Sequence, residues 1–223
     1  ASILKQVRDH QFEEELKKQK NRSRAATAID TEDWVILDDS AGTEFVGYDS
    51  SEIKTKITRY RKVKTKGKEF FQLVLEATPF YAESGGQVGD TGELIINNTC
   101  IKVTDTKKEN NLILHFTDSL PADTAGEVIA RIDSYKRELT EVHHSATHLL
   151  HAALRKVLGT HVAQKGSLVN AGYLRFDFSH FAKMTAEEIA QVEKTVNEKI
   201  RENIPVVIKE MQKDEAVAMG AMA

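Results

Sequence analysis

The sequence predicts an α+β chain in three parts: an N-terminal helix, an antiparallel β-barrel, and a C-terminal α/β core built around a His-x-x-x-His helix. Three observations predict it. Helix formers dominate the first 28 residues. From Trp34 to Ile132, short alternating or β-branched runs are separated by Gly, Asn and Asp. After Asp133, apolar residues recur at helical spacing between shorter extended runs. Domain boundaries are accordingly expected at 1–30, 31–135 and 136–223.

In the first part, Leu4, Val7, Phe12 and Leu16 form a ragged apolar stripe, as on an exposed or partner-dependent helix. The second part is expected to carry strands over Trp34–Leu37, Ile53–Val63, Phe70–Leu75, Gly92–Ile96, Cys100–Asp105, Leu112–Phe116 and Glu127–Ile132. A glycine-rich loop, Thr78 to Gly92, interrupts them and is too long for a simple hairpin turn. In the third part, a helix over Glu141–Leu158 sets Leu149, Leu150, Ala153, Leu154 and Val157 on one side, and Gly159 ends it. Extended segments follow near Gly166–Val169 and Tyr173–Phe178. Thr185 and Glu188 then form a capping box for a helix that buries Ile189, Val192, Val196 and Ile200. Pro205 breaks that pattern, Val206–Ile208 reads as a strand, and a last helix begins at Asp214.

The 223 residues include 31 basic and 34 acidic side chains, so overall charge names no partner. Local charge says more. Lys54, Lys56, Arg59, Arg61, Lys62, Lys64, Lys66 and Lys68 crowd one stretch, and Lys17, Lys18, Lys20, Arg22 and Arg24 another. Such clusters neutralise nucleic-acid phosphates, and a solvated strand or helix end accounts for them equally. The single cysteine, Cys100, excludes an internal disulfide and reads as a packed strand residue. With no apolar stretch long enough for a bilayer and no signal peptide, a cytoplasmic protein without a membrane partner is expected. The opening Ala1 and the uncapped close Gly220–Ala223 suggest a piece of a longer chain.

The candidate chemistry begins with His144-Ser-Ala-Thr-His148, two imidazoles one helical turn apart and able to share a metal ion. A solvated or hydrogen-bonded histidine pair is the competing reading. His151 and Arg155 continue the same polar stripe. A metalloprotease is excluded, because Ser145 stands where that chemistry needs a glutamate. His161 and His180 fall in loops and Cys100 in another part of the chain, so no third ligand is evident.

Five segments together resemble the editing region of the bacterial alanyl-tRNA synthetase family. They are His144 to Ala152, Leu158-Gly-Thr-His-Val-Ala-Gln-Lys-Gly-Ser-Leu-Val169, Leu174-Arg-Phe-Asp-Phe-Ser-His180, Thr78-Pro-Phe-Tyr-Ala-Glu-Ser-Gly-Gly-Gln87 and the closing Gly-Ala-Met-Ala223. On that resemblance residues 1–30 are the tail of the tRNA-recognition region, 31–135 the β-barrel, and 136–223 an editing core truncated at its C-terminal side.

The resemblance implies hydrolysis of tRNA(Ala) mischarged with serine or glycine, within a parent that joins alanine to tRNA(Ala) using ATP. It implies zinc held by His144 and His148 plus a Cys and a His of a Cys-Gly-Gly-Thr-His motif that this sequence lacks, so two of four ligands are present. ATP and Mg are implied only for an upstream domain. Thr147 and Gln164 match the editing pocket, where a hydroxyl and an amide read serine against alanine. Gly85, Gly86 and Gln87 are implied to approach the tRNA acceptor end, and Lys62 and Lys64 of the basic stretch are expected as further tRNA contacts on their charge. His143 departs from the family, which has Asn there. The alternatives are a tRNA-binding or spacer module without hydrolysis, and a stand-alone alanyl-tRNA editing protein. No protein partner is inferable.

Overall fold

The computed structural model describes residues 30–39, 43–65, 67–205, 207, 209 and 211–220. The helix expected over 1–30 and most of the strand expected over 206–208 therefore lie outside the described residues. The chain forms two compact units, one running to His144 and including Ser167–Arg175, the other made of Ser145–Gly166 and the residues from Phe176 onward.

The first unit holds β1 (Asp30–Thr31), β2 (Val35–Ile36), β3 (Glu44–Phe45), β4 (Glu52–Thr55), β5 (Ile57–Thr65), β6 (Lys68–Leu75) and β7 (Ala77–Thr78). It continues through β8 (Gly92–Ile96), β9 (Thr99–Glu109), β10 (Leu112–Thr117) and β11 (Val128–Ile132). Nine of these strands make one antiparallel sheet in the order β1-β5-β6-β10-β9-β8-β11-β4, with β2 also on β5. Its ladder among the described residues begins at β1 and ends at β4, while β3 and β7 form a short parallel pair.

Alternation explains the sheet. Leu73, Leu75, Leu94, Ile96, Ile101, Val103, Val128 and Ala130 all point into one core, with Phe80 fully buried among them. Each large side chain hidden this way contributes about 1.5–3 kcal/mol. Two-residue loops fix the register: Asn97 and Asn98, at φ 48° and 62°, join Ile96 to Thr99, the left-handed pair a tight hairpin requires.

Three expectations are corrected here. The stretch Ile53–Val63, read as one strand, divides at Lys56, because β4 pairs with β11 whereas β5 pairs with β6. Cys100 is exposed rather than packed, and its thiol donates to Glu93 Oε2 at 2.7 Å. That bond raises the thiol's pKa and keeps it protonated. The helix expected from Glu141 begins a full two turns earlier, as α1 (Ser134–Leu158). Asp133 supplies the start signal, its Oδ1 accepting the Lys136 N–H at 3.1 Å.

The second unit contains the later part of α1, α2 (Ala186–Arg201) and α3 (Lys213–Ala218). The hairpin β12 (Gln164–Val169) and β13 (Leu174–Phe178) has residues in both units. Ala153, Leu154, Val162 and Val192 form the second unit's core. The Thr185 and Glu188 capping box is present. The expected α2 face is narrower than its sequence pattern: Val192 and Thr195 are buried, while Ile189 and Ile200 stay about half exposed at 45% and 53%. Only the middle of the helix meets the small core.

Candidate functional site

The glycine-rich loop contains a tighter turn than its length suggests. Ser84 and Gln87 exchange backbone hydrogen bonds at 3.1 and 2.9 Å, so Gly85 and Gly86 are the two central residues. Both have positive φ, 59° and 88°, which makes this a two-residue turn of the kind glycine accepts without strain. The turn is held from its far side as well: Val169 N–H donates to Gly86 O at 2.8 Å and Val88 N–H to Val169 O at 3.0 Å.

Gly86 is required twice over. Besides its φ, a Cβ there would lie 2.1 Å from Ser167 Oγ and 2.9 Å from Ser167 O, whereas at Gly85 nothing lies within 4 Å. Gly86→Ala is therefore expected to destabilise the chain by about 2 kcal/mol, and Gly85→Asn, which tolerates left-handed backbone, by less than about 1 kcal/mol. Urea unfolding of the two variants checks this. Equal losses would show that conformation alone, not the approach of Ser167, sets the requirement.

The turn presents Gln87, only 5% exposed, to the helix. Its Oε1 lies 2.6 Å from His144 Nδ1. The neighbouring His143 is engaged too, with Nδ1 2.7 Å from the carbonyl oxygen of Asn170. A carbonyl only accepts, so Nδ1 carries the proton of neutral His143. This side chain ties α1 to the turn after β12.

A buried ion pair fixes the same loop to the start of α1. Arg137 and Asp90 are both 8% exposed and joined through Arg137 Nε, 3.0 Å from Asp90 Oδ1, and through a second, short contact. The guanidinium also donates to Gly47 O at 2.9 Å and Pro79 O at 3.1 Å, and Asp90 Oδ2 accepts the Tyr81 N–H at 2.8 Å. Every donor and acceptor that burial takes from water thus has a partner.

In the second unit, His148 lies one turn beyond His144 along α1 and is exposed, while Thr147 is buried at 6% exposure. Gln164, exposed, opens β12. Burial first and Arg155 second hold the His151 imidazole below its ordinary pKa, and its buried Nε2 has no hydrogen-bond partner among the described residues. Arg155 donates to Val162 O at 2.8 Å, so the polar stripe is partly a structural tie. His161 and His180 hydrogen-bond to each other at 3.0 Å on the surface.

The basic strand is largely neutralised. Lys62 and Lys64 both pair with Glu69 of β6, at 2.7 and 3.2 Å, Arg61 with Glu109 at 2.7 Å, and Lys54 with Glu127 at 2.8 Å. Hydrogen bonding to Lys62 and then Lys64 lowers the pKa of Glu69.

A family model described as tRNA synthetases class II (A) matches residues 4–136, more than half of the chain. The chain belongs to this family. Its relatives include the alanine–tRNA ligases of Cytophaga hutchinsonii, 55% identical over 95% of this chain, and of Bacteroides fragilis, 53% identical over 97%. That of Flavobacterium psychrophilum is 48% identical over 95%. The chain spans about a quarter of the length of these curated relatives, between 24% and 25%.

Within this family member, the expected site residues gather in part. Gly85, Gly86, Gln87 and His144 meet in the first unit, and Thr147, His148 and Gln164 belong to the second. Among the described residues no group of three or more His, Cys, Asp or Glu is arranged to hold a metal ion. Nor is any helix among them long and apolar enough to cross a membrane. Sequence reasoning missed Asp90, Arg137 and Asn170. Only Asp90 left a signal, as the one acid among the glycines that follow Gln87.

Proposed function

We propose that this chain forms part of an editing site that hydrolyses the ester of tRNA(Ala) mischarged with serine or glycine. The parent enzyme then joins alanine to tRNA(Ala) with ATP and Mg bound in another domain, in the cytoplasm. The observation that carries the reading is the buried Gln87 amide seated on the first histidine of the His-x-x-x-His helix. Membership of the family and the alanine–tRNA ligase relatives support it. On this reading residues 1–30 are the tail of the tRNA-recognition region, the sheet of 31–135 is the family's barrel, and 136–223 belong to the editing core.

The donor chemistry at His144 suits zinc. With Nδ1 on an amide oxygen, the neutral ring keeps its lone pair on Nε2, the state a metal ligand needs. His144 and His148 are the residues of this chain that would hold the ion, which would polarise an ester carbonyl or anchor the aminoacyl group. The residues of the chain do the rest. Thr147 and Gln164 supply a hydroxyl and an amide that pair with the serine side chain and are left unpaired by alanine, which is how a polar pocket rejects the smaller substrate. The turn at Gly85 and Gly86, having no side chains, lets backbone approach the acceptor end of the tRNA. Lys62 and Lys64 together carry one more charge than Glu69 cancels, leaving a weak attraction for phosphate.

A second reading rests on the absence of a three-residue metal group among the described residues. By it, these 223 residues alone bind tRNA or space other domains without hydrolysis. Seryl-tRNA(Ala) deacylation and zinc content, measured for this chain beside a longer version containing the Cys-Gly-Gly-Thr-His motif, separate the two. The editing reading expects both in the longer version and their loss in His144→Ala and His148→Ala. Equal, metal-free hydrolysis by both versions would sink the zinc-centred account, and tRNA affinity without hydrolysis in either would favour the second reading.

A further inference from the structure

We infer that Gln87 is a positioning residue: its side-chain oxygen holds His144 in the Nδ1–H tautomer and sets Nε2 as the nitrogen that meets a ligand. The tautomer assignment stands on geometry alone, and only the identity of the ligand rests on the proposed editing site.

Gln87 is built to hold still. Its backbone N–H and C=O are both spent on Ser84, and its side chain is 5% exposed. Behind it, the turn is pinned by Val169 on one side and by the close approach of Gly86 to Ser167 on the other. Its Oε1 therefore arrives 2.6 Å from His144 Nδ1 with little freedom to leave. An amide oxygen only accepts, so the proton of the neutral imidazole must sit on Nδ1. The opposite amide orientation would present an N–H to Nδ1 and force the proton to Nε2, closing that nitrogen to any Lewis acid.

A neutral acceptor suits this place. An amide orients the ring without adding charge, and a carboxylate would fix the same tautomer while also favouring the protonated ring. His143 provides an internal comparison. Its Nδ1 is fixed by a backbone carbonyl, so its tautomer does not depend on Gln87.

The test is long-range ¹H–¹⁵N NMR of the metal-free chain, at a pH where imidazoles are neutral, on the wild type, Gln87→Met and Gln87→Glu. The expected result is an Nδ1–H pattern for both His143 and His144 in the wild type. In Gln87→Met the His144 pattern moves toward Nε2–H while that of His143 stays, and Gln87→Glu, which keeps an acceptor oxygen, restores Nδ1–H. In a version of the chain that binds zinc, Gln87→Met is expected to weaken zinc binding by about 10–100-fold, with the glutamate variant recovering most of it. An Nε2–H pattern for wild-type His144, or one unchanged in Gln87→Met, would overturn the inference. Should the methionine variant not fold, the wild-type and glutamate spectra decide between the same outcomes. An intact Nδ1–H pattern with no zinc uptake would support the positioning role while sinking the metal reading.

Discussion

Arg137→Met is expected to destabilise the first unit by about 3–5 kcal/mol, the cost of stripping one partner from a buried ion pair. The loss comes mainly from what remains. Asp90, 8% exposed beside the guanidinium, would be left with only the Tyr81 N–H to meet it, and the carbonyls of Gly47 and Pro79 would each lose a donor. Methionine fills most of the guanidinium's volume, so a packing defect is not the main term. Adding Asp90→Asn to Arg137→Met should cost far less than the two single losses summed, since neither charge is then left alone. Trp34, the only tryptophan, lies under the Arg61 guanidinium at 4.3 Å in the same unit, and its fluorescence during urea unfolding reports the result. A loss below about 1 kcal/mol would mean that water reaches Asp90 and that the pair is not sealed as described.

His115 carries the second large effect, through pH. The ring is fully buried, its Nδ1 donating to Leu73 O at 3.1 Å and its Nε2 accepting from Thr78 Oγ1 at 2.7 Å. Thr78 Oγ1 also accepts the Phe80 N–H at 3.1 Å, and because Nδ1 must donate to the Leu73 carbonyl, Nε2 is left to accept the hydroxyl proton. Burial lowers the pKa from 6.5 to about 4. The unfolded chain therefore binds a proton that the folded chain refuses throughout that interval, and stability falls as the pH drops. The full contribution is present above pH 6.5 and about 3 kcal/mol is lost by pH 4. Unfolding measured at steps between these limits should show the slope, and His115→Gln should remove most of it. A wild-type slope unchanged in His115→Gln would place the titration elsewhere.

Local features were legible in the sequence and distant pairings were not. The strands β6 and β8 to β11 follow from alternation, and the capping box of α2 from a threonine three residues before a glutamate, because both are set by near neighbours. The His144 and His148 spacing was equally visible. Gln87 read as a tRNA contact because its partner stands 57 residues away, with nothing in either local pattern to connect them. Arg137 and Asp90 are separated by 47 residues and were hidden for the same reason. The cationic stretch misleads for a related cause. A single strand shows its own cations, but the acids that answer them sit on β6 and at the end of β9, where the fold alone can bring them.

That answered charge changes what β5 offers to a polyanion. A row of cations mostly matched by carboxylates is largely a row of small dipoles, whose field falls off faster than that of bare charges and is screened further by a Debye length of about 8 Å at physiological salt. Such a surface exerts little pull on a distant phosphate. A phosphate binding there would have to take the place of Glu69 between Lys62 and Lys64. Few counterions would be released in such a trade, so any binding at this strand would depend only weakly on salt.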